Sequence, residues 1–187
     1  MVDFSENYIL AAQTEILSEY YFLDQVTIFV HIVYRHVVEE VDGVSSTPDH
    51  RVVIKETHFY ISDDTQHDTH FVQYCFHKFF ESLVQRAIQI TRHWVWSDGC
   101  AGQFKSARSF YWLTRLHVSL NVQITWNFFE SGHGKGEHDG AGACVKRALR
   151  RYQLQHDAID LKCSTQVLEL CNVYLSHLRE KETSVRR

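Results

Sequence analysis

The chain has 187 residues, 44% hydrophobic and 13% aromatic, which suits one domain with a substantial core. One proline and eight glycines set against that hydrophobic share exclude a disordered or fibrous chain. A formal net charge of −4 argues against a non-specific polyanion binder, while leaving room for a local basic patch. Thirteen histidines make the charge sensitive to pH near neutrality. The five cysteines are odd in number and form no CxxC pair, which indicates reduced thiols in an intracellular protein, not a disulfide framework or a zinc ribbon. The start, MVDFSENYIL, lacks a basic segment followed by an apolar one, so no secretory signal is expected. The longest apolar run, residues 26–38, is broken by His31, Arg35 and His36 and is too short to span a bilayer.

Residues 2–4 read as the tail of a strand and residues 7–21 as a partly helical connection. Residues 26–38 are rich in Val, Ile, Phe and Tyr and predict a strand. The loop DGVSSTPDH at 42–50 separates it from a second long strand at 51–62, and the two suggest a hairpin. Asp63, Asp64 and Thr65 offer caps for a helix over 68–88, where apolar residues recur with helical spacing. Residues 93–97 form a short, nearly all-apolar run, which predicts a central strand buried on both faces. A helix over 103–117, a strand over 121–129, a glycine-rich loop over 131–142 and a helix over 143–154 follow. A last helix covers 164–180, ahead of the charged tail REKETSVRR.

Antiparallel pairing first and α/β crossovers later favour an α/β fold, a mixed five-stranded sheet with helices on both faces. That order resembles the ribonuclease H-like fold. The runs DFSENY (3–8), YISDDTQHD (60–68), SDGCAGQFK (97–105) and GHGKGEHDGAGACVKR (132–147) together resemble transposase-derived, DDE-type proteins of eukaryotic mobile elements. The resemblance covers most of the chain and divides it into a catalytic core at 1–160 and a C-terminal helix and tail at 161–187. It implies metal-dependent cleavage and joining of DNA strands by three carboxylates: Asp3 on the first strand, Asp98 at a strand tip, and Asp139 on the helix after the last strand. Glu137 is the alternative third acid. Two Mg2+ or Mn2+ ions, roughly 3.5–4 Å apart, would activate the attacking oxygen and stabilise the leaving one. Hard oxygen ligands converging from separate elements suit those ions.

Each position also has a plainer reading. Ser-Asp-Gly after a strand is a common turn, and Asp139 stands where an acid is comfortable at a helix start. In the glycine-rich loop, Lys135 suits a phosphate and His133 a scissile phosphate or a water, while His138 reads as incidental. A zinc site from His133, His138, Cys100 and Cys144 fits no standard spacing. Gln103 and Lys105 follow Asp98 and stand ready for a nucleotide. Lys146 and Arg150, with Arg147 and Arg151, form the densest basic patch, facing either DNA or only solvent. Trp94, Trp96, Trp112 and Trp126 read as core or sheet-packing residues.

The resulting expectation is a DNA-binding, intracellular and nuclear protein, not a membrane one, working as a homodimer or with a separate DNA-recognition domain. Two other classes stay open: a domesticated remnant that binds DNA or protein without chemistry, and a ribonuclease H-like nuclease that only hydrolyses.

Overall fold

The computed structural model describes residues 1–10, 24–36, 46–47, 49–130, 136–156 and 161–182, with side chains to residue 173. Nine elements follow in chain order: β1 (Val2–Ile9), β2 (Gln25–His36), β3 (Val53–Ser62), α1 (Thr69–Gln85), β4 (Arg92–Ser97), α2 (Ala107–Leu120), β5 (Gln123–Phe128), α3 (Glu137–Gln155) and α4 (Ser164–Glu182). The expected order of strands and helices is therefore present. The expected partly helical connection over 7–21 falls mostly outside the described residues, and its first residues belong to β1.

The sheet differs from expectation. The strands form two sheets: an antiparallel one in the order β1-β2-β3 and a parallel one of β4 and β5. A ribonuclease H-like, mixed five-stranded sheet is not what this chain builds. In β1 and β2, Met1 and Ile32 exchange backbone hydrogen bonds in both directions at 2.8 Å. Leu10 N–H donates to the Asp24 carbonyl at 2.9 Å. β4 pairs with β5 in register from Arg92 opposite Gln123 to Ser97 opposite Phe128. The succession of strands along a chain limits topology but does not choose which edges pair. Here β4 has a strand partner on one edge only among the described residues.

The chain divides into two compact units, Met1–Asp3 with Val30–His58 and Gln66–His138, and Phe4–Phe29 with Phe59–Thr65 and Asp139–Arg187. The core of the first unit rests on α1. The Asp68 side chain caps this helix by accepting from Phe71 N–H at 2.9 Å. Val72, Cys75, Phe76, Phe79, Phe80 and Leu83 form its buried stripe. The helix ends three residues before the expected position. Ala87 takes a left-handed φ of 54°, Ala87 N–H bonds the Val84 carbonyl at 3.0 Å, and Ile88 N–H bonds the Leu83 carbonyl at 2.8 Å. That double closure is a Schellman stop, built here without glycine.

The phenylalanines of α1 enclose histidines from three strands. The His31 ring lies 5.2 Å from Phe76 and 4.6 Å from Phe79, and His93 lies 5.5 Å from Phe79. His58 lies 6.0 Å from His31 and 5.5 Å from Phe79. Burial pushes all three below the ordinary histidine value, His31 far below it and His93 to about 4. Glu56 faces His58 at 3.4 Å and also receives Arg35 and Arg86, which ties β2 and β3 to the end of α1.

In the second unit, Phe29 packs against Phe4 at 4.9 Å and Tyr60 at 6.1 Å. Tyr8 donates its hydroxyl to Gln153 of α3. Val145 and Leu149 are buried on α3, as are Val167, Leu170 and Cys171 on α4. Asp63, expected to cap the helix that follows it, instead accepts from Ser164 N–H and Oγ at 2.6 and 2.7 Å, at the start of α4. No helix among the described residues is long and apolar enough to cross a membrane.

The histidine cluster predicts an acid-labile fold. A histidine whose folded pKa lies below its unfolded value of about 6.5 favours folding only while neutral. Its contribution is complete above about pH 6.5 and is lost as the pH falls toward 4. Urea unfolding between pH 7.5 and 4.5 should show this loss, and His31→Leu should reduce it. An equal pH slope in wild type and variant would contradict the account.

Candidate functional site

The site is built where β1 meets the first turn of α3. Asp3 is the second residue of β1. α3 begins at Glu137, six residues before the expected start, so His138 and Asp139 belong to its first turn. His138 is the first residue of the buried stripe that continues through Gly142, Val145, Leu149 and Gln153, at spacings of three and four. Only 3% of its side chain is exposed, and its Nε2 lies 3.0 Å from Asp3 Oδ2. Its Nδ1 lies 3.0 Å from Met1 Sδ. Gly136 permits this approach, because a Cβ there would stand 3.1 Å from both the His138 ring and Met1 Sδ. Asp139, the next residue, is exposed. One ligand atom from each of Asp3, His138 and Asp139 lies within 4.8 Å of the other two.

Two carboxylates and an imidazole form a coherent donor set for a divalent cation. The imidazole moves the preference from Mg2+, which favours oxygen, toward Mn2+ or Zn2+. In the sequence His138 looks incidental; the structure makes it the buried member of the group. Its signal was the apolar stripe of α3 extended one turn toward the N-terminus.

Asp98 stands directly after β4, the strand-tip position expected of it. Its Oδ1 accepts from Cys100 N–H at 3.0 Å, an Asx turn, and Asp98 is not a member of the group around His138. Before it, Ser97 is fully buried, accepting from Trp126 Nε1 at 2.9 Å and donating to the Asp98 carbonyl at 2.8 Å. Glu137, the alternative third acid, turns elsewhere. It accepts from the Tyr34 hydroxyl and lies 3.6 Å from Lys55. The Tyr34 hydrogen bond, helped by Lys55, holds the Glu137 carboxyl below the ordinary glutamate value, and the same bond raises Tyr34.

The expected nucleic-acid contacts divide. Gln103 and Lys105 lie in the turns before α2, which Ser106 caps by accepting from Ser109 N–H. The Gln103 carbonyl accepts from Thr69 Oγ1 at 3.2 Å, and Lys105 Nζ sits 5.2 Å over the Phe128 ring. Lys146 is half-buried; burial holds it below the ordinary lysine value, with Glu6 opposing that shift. Arg150 is exposed. His133 and Lys135 lie outside the described residues. Cys100 and Cys144 are exposed free thiols and contribute to no ligand group among the described residues.

Residues 1–184 match a family described as a domain of unknown function, DUF8701, and the chain belongs to that family. No curated protein and no solved structure matches the chain.

Removing the Tyr34 hydroxyl should release Glu137. In Tyr34→Phe the carboxyl carbon of Glu137, followed by NMR titration, is expected to midpoint at higher pH than in wild type. An unchanged midpoint would contradict the assigned cause.

Proposed function

We propose that the chain holds a divalent cation through Asp3, His138 and Asp139 and uses it in breaking phosphodiester bonds of DNA, as a nuclease or strand-transferase. The observation that carries this reading is the convergence of those three side chains from β1 and α3. When bound, such a cation polarises a phosphoryl oxygen and lowers the pKa of a ligating water. Asp3 and Asp139 would provide the negative charge that attracts it. His138, packed into the base of α3, would fix the direction of approach, since a buried ring has little rotational freedom. Farther along α3, Lys146, Arg147, Arg150 and Arg151 offer charge to a phosphate backbone. The resemblance of four sequence runs to DDE-type proteins supports DNA as the substrate, and with it a nuclear location.

The group describes one ion, not the expected pair. Asp98 would have to leave its Asx turn to join a second. That observation favours a second reading, a cation-dependent DNA-binding module without chemistry.

Calorimetric titration with Mn2+ separates the readings from failure of both. Wild type should bind, and Asp3→Asn and His138→Gln should lose about tenfold or more in affinity, at least the cost of disturbing a metal's outer ligands. Asp98→Asn should keep Mn2+ binding. If it loses cleavage of a DNA duplex, Asp98 belongs to the reaction; if the wild type itself never cleaves, the binding-module reading stands. A folded wild type that takes up no Mn2+ would overturn both.

The basic side of α3 has its own test. Replacing Lys146 and Arg150 by alanine should lower the slope of log affinity against log salt by about 2, near 0.9 per phosphate contact. An unchanged slope would return those residues to the role of a solvated face.

A further inference from the structure

β4 is not the buried central strand its composition suggests. Gln123 N–H donates to the Thr91 carbonyl at 2.9 Å, and Phe129 N–H donates to the Ser97 carbonyl at 2.8 Å. The odd-numbered residues of this segment thus turn their backbone groups toward β5. Alternation along the strand turns those of Arg92, Trp94 and Trp96 to the opposite edge. No strand occupies that edge among the described residues. The side chains alternate as well. Val95 and Ser97 are buried, whereas Trp94 is 60% exposed and Trp96 44%.

A groove of about 1120 Å³ is lined by residues 92–94 and Trp96 of this strand together with residues 32–36 of β2. Trp96 stacks near Phe129 at 5.5 Å within it, and Tyr34 adds a third exposed ring. Among the described residues the charged lining is one-signed: Arg35, Arg51 and Arg92 contribute, and no carboxylate does. Arg35 is engaged by Glu56, while Arg51 and Arg92 are exposed.

We propose that this groove binds an extended, acidic peptide segment of a partner protein, which adds as a strand to the outer edge of β4. The free backbone groups of Arg92, Trp94 and Trp96 recur about every 6.6 Å, the spacing of alternate residues in a strand, so an extended peptide meets all of them in register. Trp94 and Trp96 supply the apolar shelf against which its alternate side chains lie. Arg51 and Arg92 receive its carboxylates, which gives charge complementarity. A single-stranded nucleic acid would stack on the same tryptophans. It has no regular ladder of donors and acceptors to meet the strand edge, so the peptide uses more of what the groove offers.

The probe is a fluorescein-labelled peptide of about nine residues alternating glutamate and valine, followed by anisotropy together with tryptophan fluorescence of the full chain. Saturable binding with a tryptophan change is expected. Arg51→Glu with Arg92→Glu, at two exposed positions and with the circular dichroism checked to be that of the wild type, should weaken it about tenfold or more. Two N-methylated forms of the probe test the ladder. Methylation on alternate residues of one edge should weaken binding about tenfold, and methylation on the other edge should not, because only one edge pairs. Equal binding of the two methylated forms, or no binding of the parent peptide, overturns the proposal. So does an oligothymidylate that displaces the peptide and binds more tightly, or a dimer in sedimentation that buries the tryptophans in a second copy.

Discussion

The contact between Asp3 and His138 decides where the candidate site forms. It joins the first residues of β1 to the first turn of α3, two segments 135 positions apart in the chain. Stabilisation alone is a poor rationale for it on magnitude: desolvating charged groups costs several kcal/mol each, so replacing a buried pair by apolar residues is often neutral or stabilising. Removing one partner is a different matter, costing about 3–5 kcal/mol where the survivor stays buried and charged. On the proposed reading, the pair stands beside the exposed Asp139 to offer ligand atoms as well as packing. Gly136 serves the same end, since any side chain there would push against the His138 ring.

How much of this was legible in the sequence differs from element to element. The stripe of α1 was readable because seventeen helical residues give several turns of consistent spacing. Its end was overrun because an alanine, not a glycine, adopts the left-handed stop. The sequence pattern starts α3 six residues late because Gly140 and Gly142 read as loop, yet both lie within the helix. That one displacement hid His138, whose burial only makes sense once the helix includes it. Asp98 was found at its strand tip, and its Asx turn to Cys100 is the plainer role a Ser-Asp-Gly sequence suggests.

Strand pairing was the largest loss. Hydrophobic pattern reports which residues want burial, but hydrogen-bonding edges carry no side-chain signature. The run HWVWS looked continuously apolar because tryptophan counts as hydrophobic wherever it stands. In the structure it alternates: His93, Val95 and Ser97 turn inward and the two tryptophans outward. The composition that suggests a central strand hides an edge of β4 that no described strand occupies, with an aromatic face. The cation group and this groove use different residues and different chemistry, so each can stand or fall without the other.

The most direct measurement is an NMR titration of the isotopically labelled protein with Mn2+, whose unpaired electrons broaden nearby resonances. Substoichiometric Mn2+ should first erase signals of Asp3, His138 and Asp139 and leave those of residues far from the ion sharp. Broadening centred on other residues, or none at all in a folded sample, would contradict the central claim that this group is a cation site.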